Sequence, residues 1–95
     1  MRITDIIWKE HIVEKFIAKH NVSAPEVEEV LSSNPVVRKI AKGRVRGQDV
    51  YAALAQVSSG RYLIVFFIDK KRGMALPISA RDMDSGERNY YARHR

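Results

Sequence analysis

The nine residues Arg61-Tyr-Leu-Ile-Val-Phe-Phe-Ile-Asp69 are the most apolar run in the chain and restrict its fold more than any other stretch. The run is too continuous for a strand with one wet face. It is expected as the central strand of a sheet, covered by helices on one side. Strand signals recur on either side of it. Val36 to Lys42 reads as a first strand, Gly43-Arg44-Val45-Arg46-Gly47 as a basic turn or loop, and Asp49 to Val57 as a second strand rich in small apolar residues. Ser58-Ser-Gly60 and Lys70-Lys-Arg-Gly73 are turn signals, after which Met74 to Ser79 pairs back as the last strand.

Helical spacing flanks these strands. Trp8, Ile12, Val13, Phe16 and Ile17 fall on one face of a helix, with Lys9, Glu10, Glu14 and Lys15 on the other side. That helix should close near His20-Asn21, because asparagine accepts the left-handed conformation that ends helices. Ser23-Ala-Pro-Glu26 is a capping box with proline in the first turn, and Val27, Val30 and Leu31 give the second helix its buried stripe up to Pro35. Before the first helix, Arg2 to Ile7 is either a short strand or a lead-in. At the other end, the chain passes a Ser79-Ala-Arg81 corner and enters a short helix at Asp84, with Glu87 completing a second capping box. The expected fold is a single α+β domain over residues 1–95, with two N-terminal helices, an antiparallel sheet of three or four strands and a C-terminal helix.

Absent residue types narrow the function. The sequence has no cysteine, which removes disulfides, thiol chemistry and a cysteine-based metal site. His11, His20 and His94 lack ligand spacing and no glycine-rich phosphate loop occurs, so neither a metal nor a cofactor is expected. No window approaches the roughly 18 apolar residues of a membrane span, and the start has no signal-peptide core. A soluble cytoplasmic protein is expected.

Charge is placed unevenly. Residues 1–35 carry four Lys or Arg against six Asp or Glu, a net −2, and residues 36–95 carry thirteen against five, a net +8. A basic second half suits a partner rich in phosphates. The sharpest cluster is the C-terminal corner, where Arg81 and Arg88 accompany Glu87, and Tyr90 and Tyr91 follow at helical spacing. Guanidinium forks match phosphate, and a helix N-terminus points free N–H groups outward. A solvated surface helix or a plain capping glutamate would give the same pattern.

Several of these segments together resemble the BrnT family of type II toxins. They are Trp8-Lys-Glu-His11, Lys19-His20-Asn21-Val22-Ser23, Pro25-Glu26-Val27-Glu28-Glu29-Val30-Leu31, Gly60-Arg-Tyr-Leu-Ile-Val-Phe-Phe67 and Ile78-Ser-Ala-Arg-Asp-Met83, with Glu87-Arg88 and Tyr91. The chain departs from the family pattern at Met74 and Ala75, where a basic residue is usual, and at Gly86 in the first turn of the last helix. The resemblance implies a RelE-like fold, a toxin with ribonuclease activity, and a ribbon-helix-helix, BrnA-like antitoxin as partner, with homodimerisation open in the antitoxin's absence.

Cutting RNA without a metal requires a 2′-hydroxyl to lose its proton, the pentacoordinate phosphate to be neutralised and the 5′-oxygen to be protonated as it leaves. Arg81 and Arg88 are the candidates for the positive field. Glu87 or a histidine, His20 being the best placed, is the candidate base. Arg44, Arg46, Arg61, Tyr91 and Arg93 are the candidate RNA contacts, Tyr91 by stacking on a base. The alternative is a non-catalytic nucleic-acid-binding or regulatory domain on the same scaffold. A nuclease of this design requires Arg81, Arg88 and Glu87 to converge on one exposed concave face.

Overall fold

The structure, a computed structural model, describes residues 1–43 and 48–95. In chain order its elements are β1 (Asp5–Ile6), α1 (Glu10–His20), α2 (Ala24–Ser32), β2 (Val36–Ala41), β3 (Val50–Gln56), β4 (Tyr62–Asp69), β5 (Met74–Asp82) and α3 (Ser85–His94). This is an α+β architecture. The five strands form one mixed sheet in the order β1-β5-β4-β3-β2, which places β4 at its centre. The expectation of three or four antiparallel strands is corrected by β1, which pairs in parallel with β5 through Asp5↔Met74 and Ile6↔Ala75. Backbone bonds from Thr4 N to Gly73 O (2.8 Å) and Ile7 N to Ala75 O (2.8 Å) extend that pairing. Gly73 is needed here twice over: its φ is +78°, and a side chain at this point would collide with Thr4.

The helices also lie differently from the expectation. They cover both faces of β4, not one. Leu63, Val65 and Phe67 face α1 and α2 with Ala53, Ala55, Phe16, Val27 and Val30, while Tyr62, Ile64 and Phe66 face α3 with Ala52, Leu54 and Met83. Period-two alternation along a strand explains the split, and a run dry on both sides is what a doubly covered strand requires. Phe67, Leu54 and Leu63 are fully buried, each stabilising the fold by about 2 kcal/mol relative to exposure.

Strand β5 carries the irregularity that positions the functional end. Its pairing with β4 shifts between Phe66↔Ser79 and Phe67↔Pro77. The extra residue resets the phase of the strand. Ala75 and Ala80 therefore both reach the α1/α2 side although their numbers differ in parity. Beyond the bulge Arg81 lies opposite Ile64, on the α3 face, and Asp82 lies opposite Leu63, on the α1/α2 face. The Ser79-Ala-Arg81 segment is consequently the last part of a strand running to Asp82, not a corner after one.

Local signals in the chain explain the helix ends. Asn21 has a left-handed backbone (φ 52°) and closes α1. Ser23 with Glu26 and Asp84 with Glu87 form complete capping boxes at the starts of α2 and α3. Helix α1 begins at Glu10 and leaves Trp8 outside it, 39% exposed, with Ile17 52% exposed on its outer side.

Candidate nucleic-acid interface

Helix α3 is mostly polar, and it is held to the sheet by few groups. Tyr90 and Tyr91 both pack on the Ala52, Leu54, Ile64 and Met83 cluster, and the Tyr91 hydroxyl accepts from the Gln56 amide at 3.3 Å. At its start the Glu87 carboxylate is gripped at both oxygens. Arg81 Nη1 donates to Oε1 at 2.7 Å, Arg81 Nη2 to Oε2 at 2.8 Å, and the Asp84 amide to Oε1 at 2.9 Å. The Arg81 guanidinium also sits 5.4 Å from the Phe66 ring centroid, and Nη1 donates to the Asp82 carbonyl at 3.1 Å. The bond from Arg81, joined by that of the Asp84 amide, holds the Glu87 carboxyl below the ordinary glutamate value despite partial burial. The same pair raises the Arg81 guanidinium further above its already high value.

This bidentate pair closes the acid–base constellation expected from the sequence. Glu87 has its oxygens occupied by donors and a lowered pKa, both unfavourable to a base. Arg81 spends its fork on Glu87. His20 is not brought near them: it ends α1, on the other side of the sheet, where its carbonyl accepts from Arg61 Nη2 at 3.4 Å. Of the expected catalytic set only Arg88 presents an open cation, because Arg81 and Glu87 are sealed in an ion pair with each other.

Arg61 is likewise a strut and not an open RNA contact. It bonds Asp82 at 3.1 and 3.2 Å, Glu26 at 3.1 and 3.3 Å and the Asn21 carbonyl at 2.8 Å. Asp82, then Glu26, raise its pKa. Arg93 is exposed in the last turn of α3. Arg44 and Arg46 lie outside the described residues.

What remains open is a groove along α3. Tyr62, Ser85, Arg88, Asn89, Tyr91, Ala92 and Arg95 line a hollow of about 380 Å³. The Arg88 guanidinium stands 4.0 Å above the Tyr62 ring, Arg95 stands 5.6 Å from Tyr91, and the two tyrosines meet edge to face at 6.1 Å. Neither arginine forms an ion pair among the described residues. Behind them Arg38 of β2 lies 4.4 Å over Tyr90, which stacks on His94 at 3.9 Å. The pattern is alternating guanidinium and aromatic planes on the α3 face of the sheet. Such planes offer cations for phosphate and π-faces for bases.

Sequence reasoning named Arg88 and Tyr91 here but missed Tyr62, Asn89 and Arg95. The signal available was spacing: 85, 88, 89, 92 and 95 share one helix face. Tyr62 carried no such signal, because its role depends on which side of β4 faces α3. No helix among the described residues is long and apolar enough to cross a membrane. Comparison with known proteins returned no matching family and no significantly similar curated protein.

Proposed function

We propose that this chain binds single-stranded RNA across α3, with phosphates held by Arg88 and Arg95 and a base laid against Tyr62 and Tyr91. The observation that carries the reading is the pair of arginines without ion-pair partners among the described residues, flanking an open aromatic groove. The net +8 of residues 36–95 supplies the surrounding field. Stacking tolerates any base, so the groove favours strand form over sequence. Asn89 and Ser85 add side chains that hydrogen-bond to a base edge or a 2′-hydroxyl.

A second reading is the metal-independent toxin-type endoribonuclease implied by the BrnT resemblance, with a RelE-like fold, a cytoplasmic setting and a ribbon-helix-helix antitoxin as partner. Its support is the Ile78-Ser-Ala-Arg81 and Glu87-Arg88 motifs with Tyr91. On that reading Arg88 and Arg95 neutralise the developing phosphorane, and Arg81 with Glu87 fixes the helix that carries them. The closed Arg81–Glu87 pair favours binding over cleavage by this carboxylate.

Both readings are tested with a 5′-labelled twelve-residue oligouridylate in EDTA, by anisotropy and on a denaturing gel. Binding should weaken about tenfold or more in Arg88→Ala and in Arg95→Ala, with the salt slope falling by about 0.7 per lost phosphate contact. Lys71→Ala, on the distant β4–β5 turn, should bind within about twofold of the parent. Cleavage by the parent chain would establish the nuclease, binding alone the non-catalytic domain, and no binding at low salt would remove both.

A further inference from the structure

The opposite side of the molecule carries a feature that RNA binding leaves unused. The apolar stripe of α1 is wider than the fold consumes: Phe16 is buried, yet Ile17 is 52% and Trp8 39% exposed. Between α1 and α2, Trp8, Val13, Ala24 and Pro25 floor an open groove of about 480 Å³. Its rim is acidic, formed by Glu10, Glu14 and Glu28, and none of these carboxylates is in an ion pair among the described residues. Past Trp8 and Glu28 it continues into a second hollow of about 240 Å³, where Ile3, Ile6 and Asp5 repeat the combination of apolar floor and carboxylate. Lys9 and Lys15, the nearest cations in sequence, line neither hollow.

Exposed tryptophan on an apolar floor, ringed by uncompensated charge of one sign, has the anatomy of a protein interface: an aromatic anchor inside a polar rim. The sign selects the occupant. Residues 1–35 carry the net −2 of a chain that is otherwise strongly basic, and the carboxylates concentrate on this groove. We infer that the α1/α2 groove docks a basic amphipathic segment of a partner protein, its apolar side chains on Trp8 and Val13 and its lysines or arginines against Glu10, Glu14 and Glu28. Nucleic acid is repelled from the same rim, so the two surfaces sort their partners by charge and are occupied independently.

Trp8 is the chain's single tryptophan and reports occupancy directly. The whole chain is titrated with a helix-forming leucine–lysine peptide of seven-residue repeat, and separately with its leucine–glutamate counterpart. The lysine peptide should shift Trp8 emission to the blue and saturate, with affinity falling as salt rises. The glutamate peptide should not bind. Glu14→Lys combined with Glu28→Lys should raise the Kd at least about tenfold, as should Trp8→Ala read by anisotropy of a labelled peptide. Circular dichroism should match the parent in each variant, since all three positions are on the surface. Arg88→Ala should bind the lysine peptide as the parent does, whether or not RNA binding survives. The inference is overturned if no shift occurs, if the glutamate peptide binds equally, if charge reversal leaves the Kd unchanged, or if sedimentation without peptide shows two copies joined through Trp8.

Discussion

The two capping boxes, on opposite faces of one sheet, use the same parts to different effect. Ser23 with Glu26 starts α2, and Asp84 with Glu87 starts α3. In each, an arginine reaches across to the capping glutamate: Arg61 from just ahead of β4 to Glu26, and Arg81 from β5 to Glu87. Arg61 is shared, joining the end of α1, the start of α2 and Asp82 of β5, so it fastens three elements. Arg81 is exclusive, fastening α3 alone through a bidentate fork. An arginine beside a capping glutamate is in both cases a structural clamp, and the cations left for a ligand are Arg88 and Arg95, further along α3.

Deleting the shared clamp should do the most. Arg61→Ala is expected to lower stability by about 3 kcal/mol in urea titration, through several charged hydrogen bonds lost at once. The side chain is 28% exposed, and solvent screening keeps the loss below that of a fully buried network. Arg81→Ala should cost about 2 kcal/mol and act locally. Amide exchange should rise through Ser85–His94 while β3 and β4 keep their protection. Lysine at 81 should restore less than half, because a point charge cannot serve both carboxylate oxygens. If Arg81→Ala instead loosens the whole sheet, the distinction between shared and exclusive clamps collapses.

The smallest effect is a titration. Both glutamates are held below their ordinary value, Glu26 chiefly by the Ser23 amide and Glu87 chiefly by Arg81. A carboxyl lowered in the folded state contributes stability that is complete above its unfolded pKa and is lost as pH falls through the folded one. Stability should therefore decline on acidification below the usual glutamate range. Carboxyl NMR should show Glu87 moving back toward its ordinary pKa in Arg81→Ala, and Glu26 moving less in Arg61→Ala. Equal movements would mean that the two boxes are held alike.

These clamps also mark where the sequence was readable. Asn21, both Ser/Asp-x-x-Glu boxes and the central place of Arg61–Asp69 were legible, because each depends on neighbours within a few residues or on one long apolar run. The second covering of β4 was not. Helix α3 is polar except for Tyr90, Tyr91 and Ala92, and its two tyrosines are only half-buried against the sheet, so no amphipathic stripe announced it. The bulge near Ile78 was equally silent, and without it the face on which Arg81 lies cannot be assigned. Arg81 and Glu87 were correctly seen as neighbours, but proximity does not separate two groups aimed at a substrate from two groups aimed at each other. Trp8 and Ile17 share helical spacing with Ile12, Val13 and Phe16, but spacing does not say how much of that stripe is covered, and α1 turns only part of it inward.

The parallel pairing of β1 with β5 has a consequence for how the molecule forms. Asp5 meets Met74 across about three-quarters of the chain, a longer closure than any other strand pairing in the sheet requires. The β3–β4–β5 meander joins through short turns and needs no such closure. The opening strand is thus expected to dock after the meander, leaving its edge of β5 bare until it does.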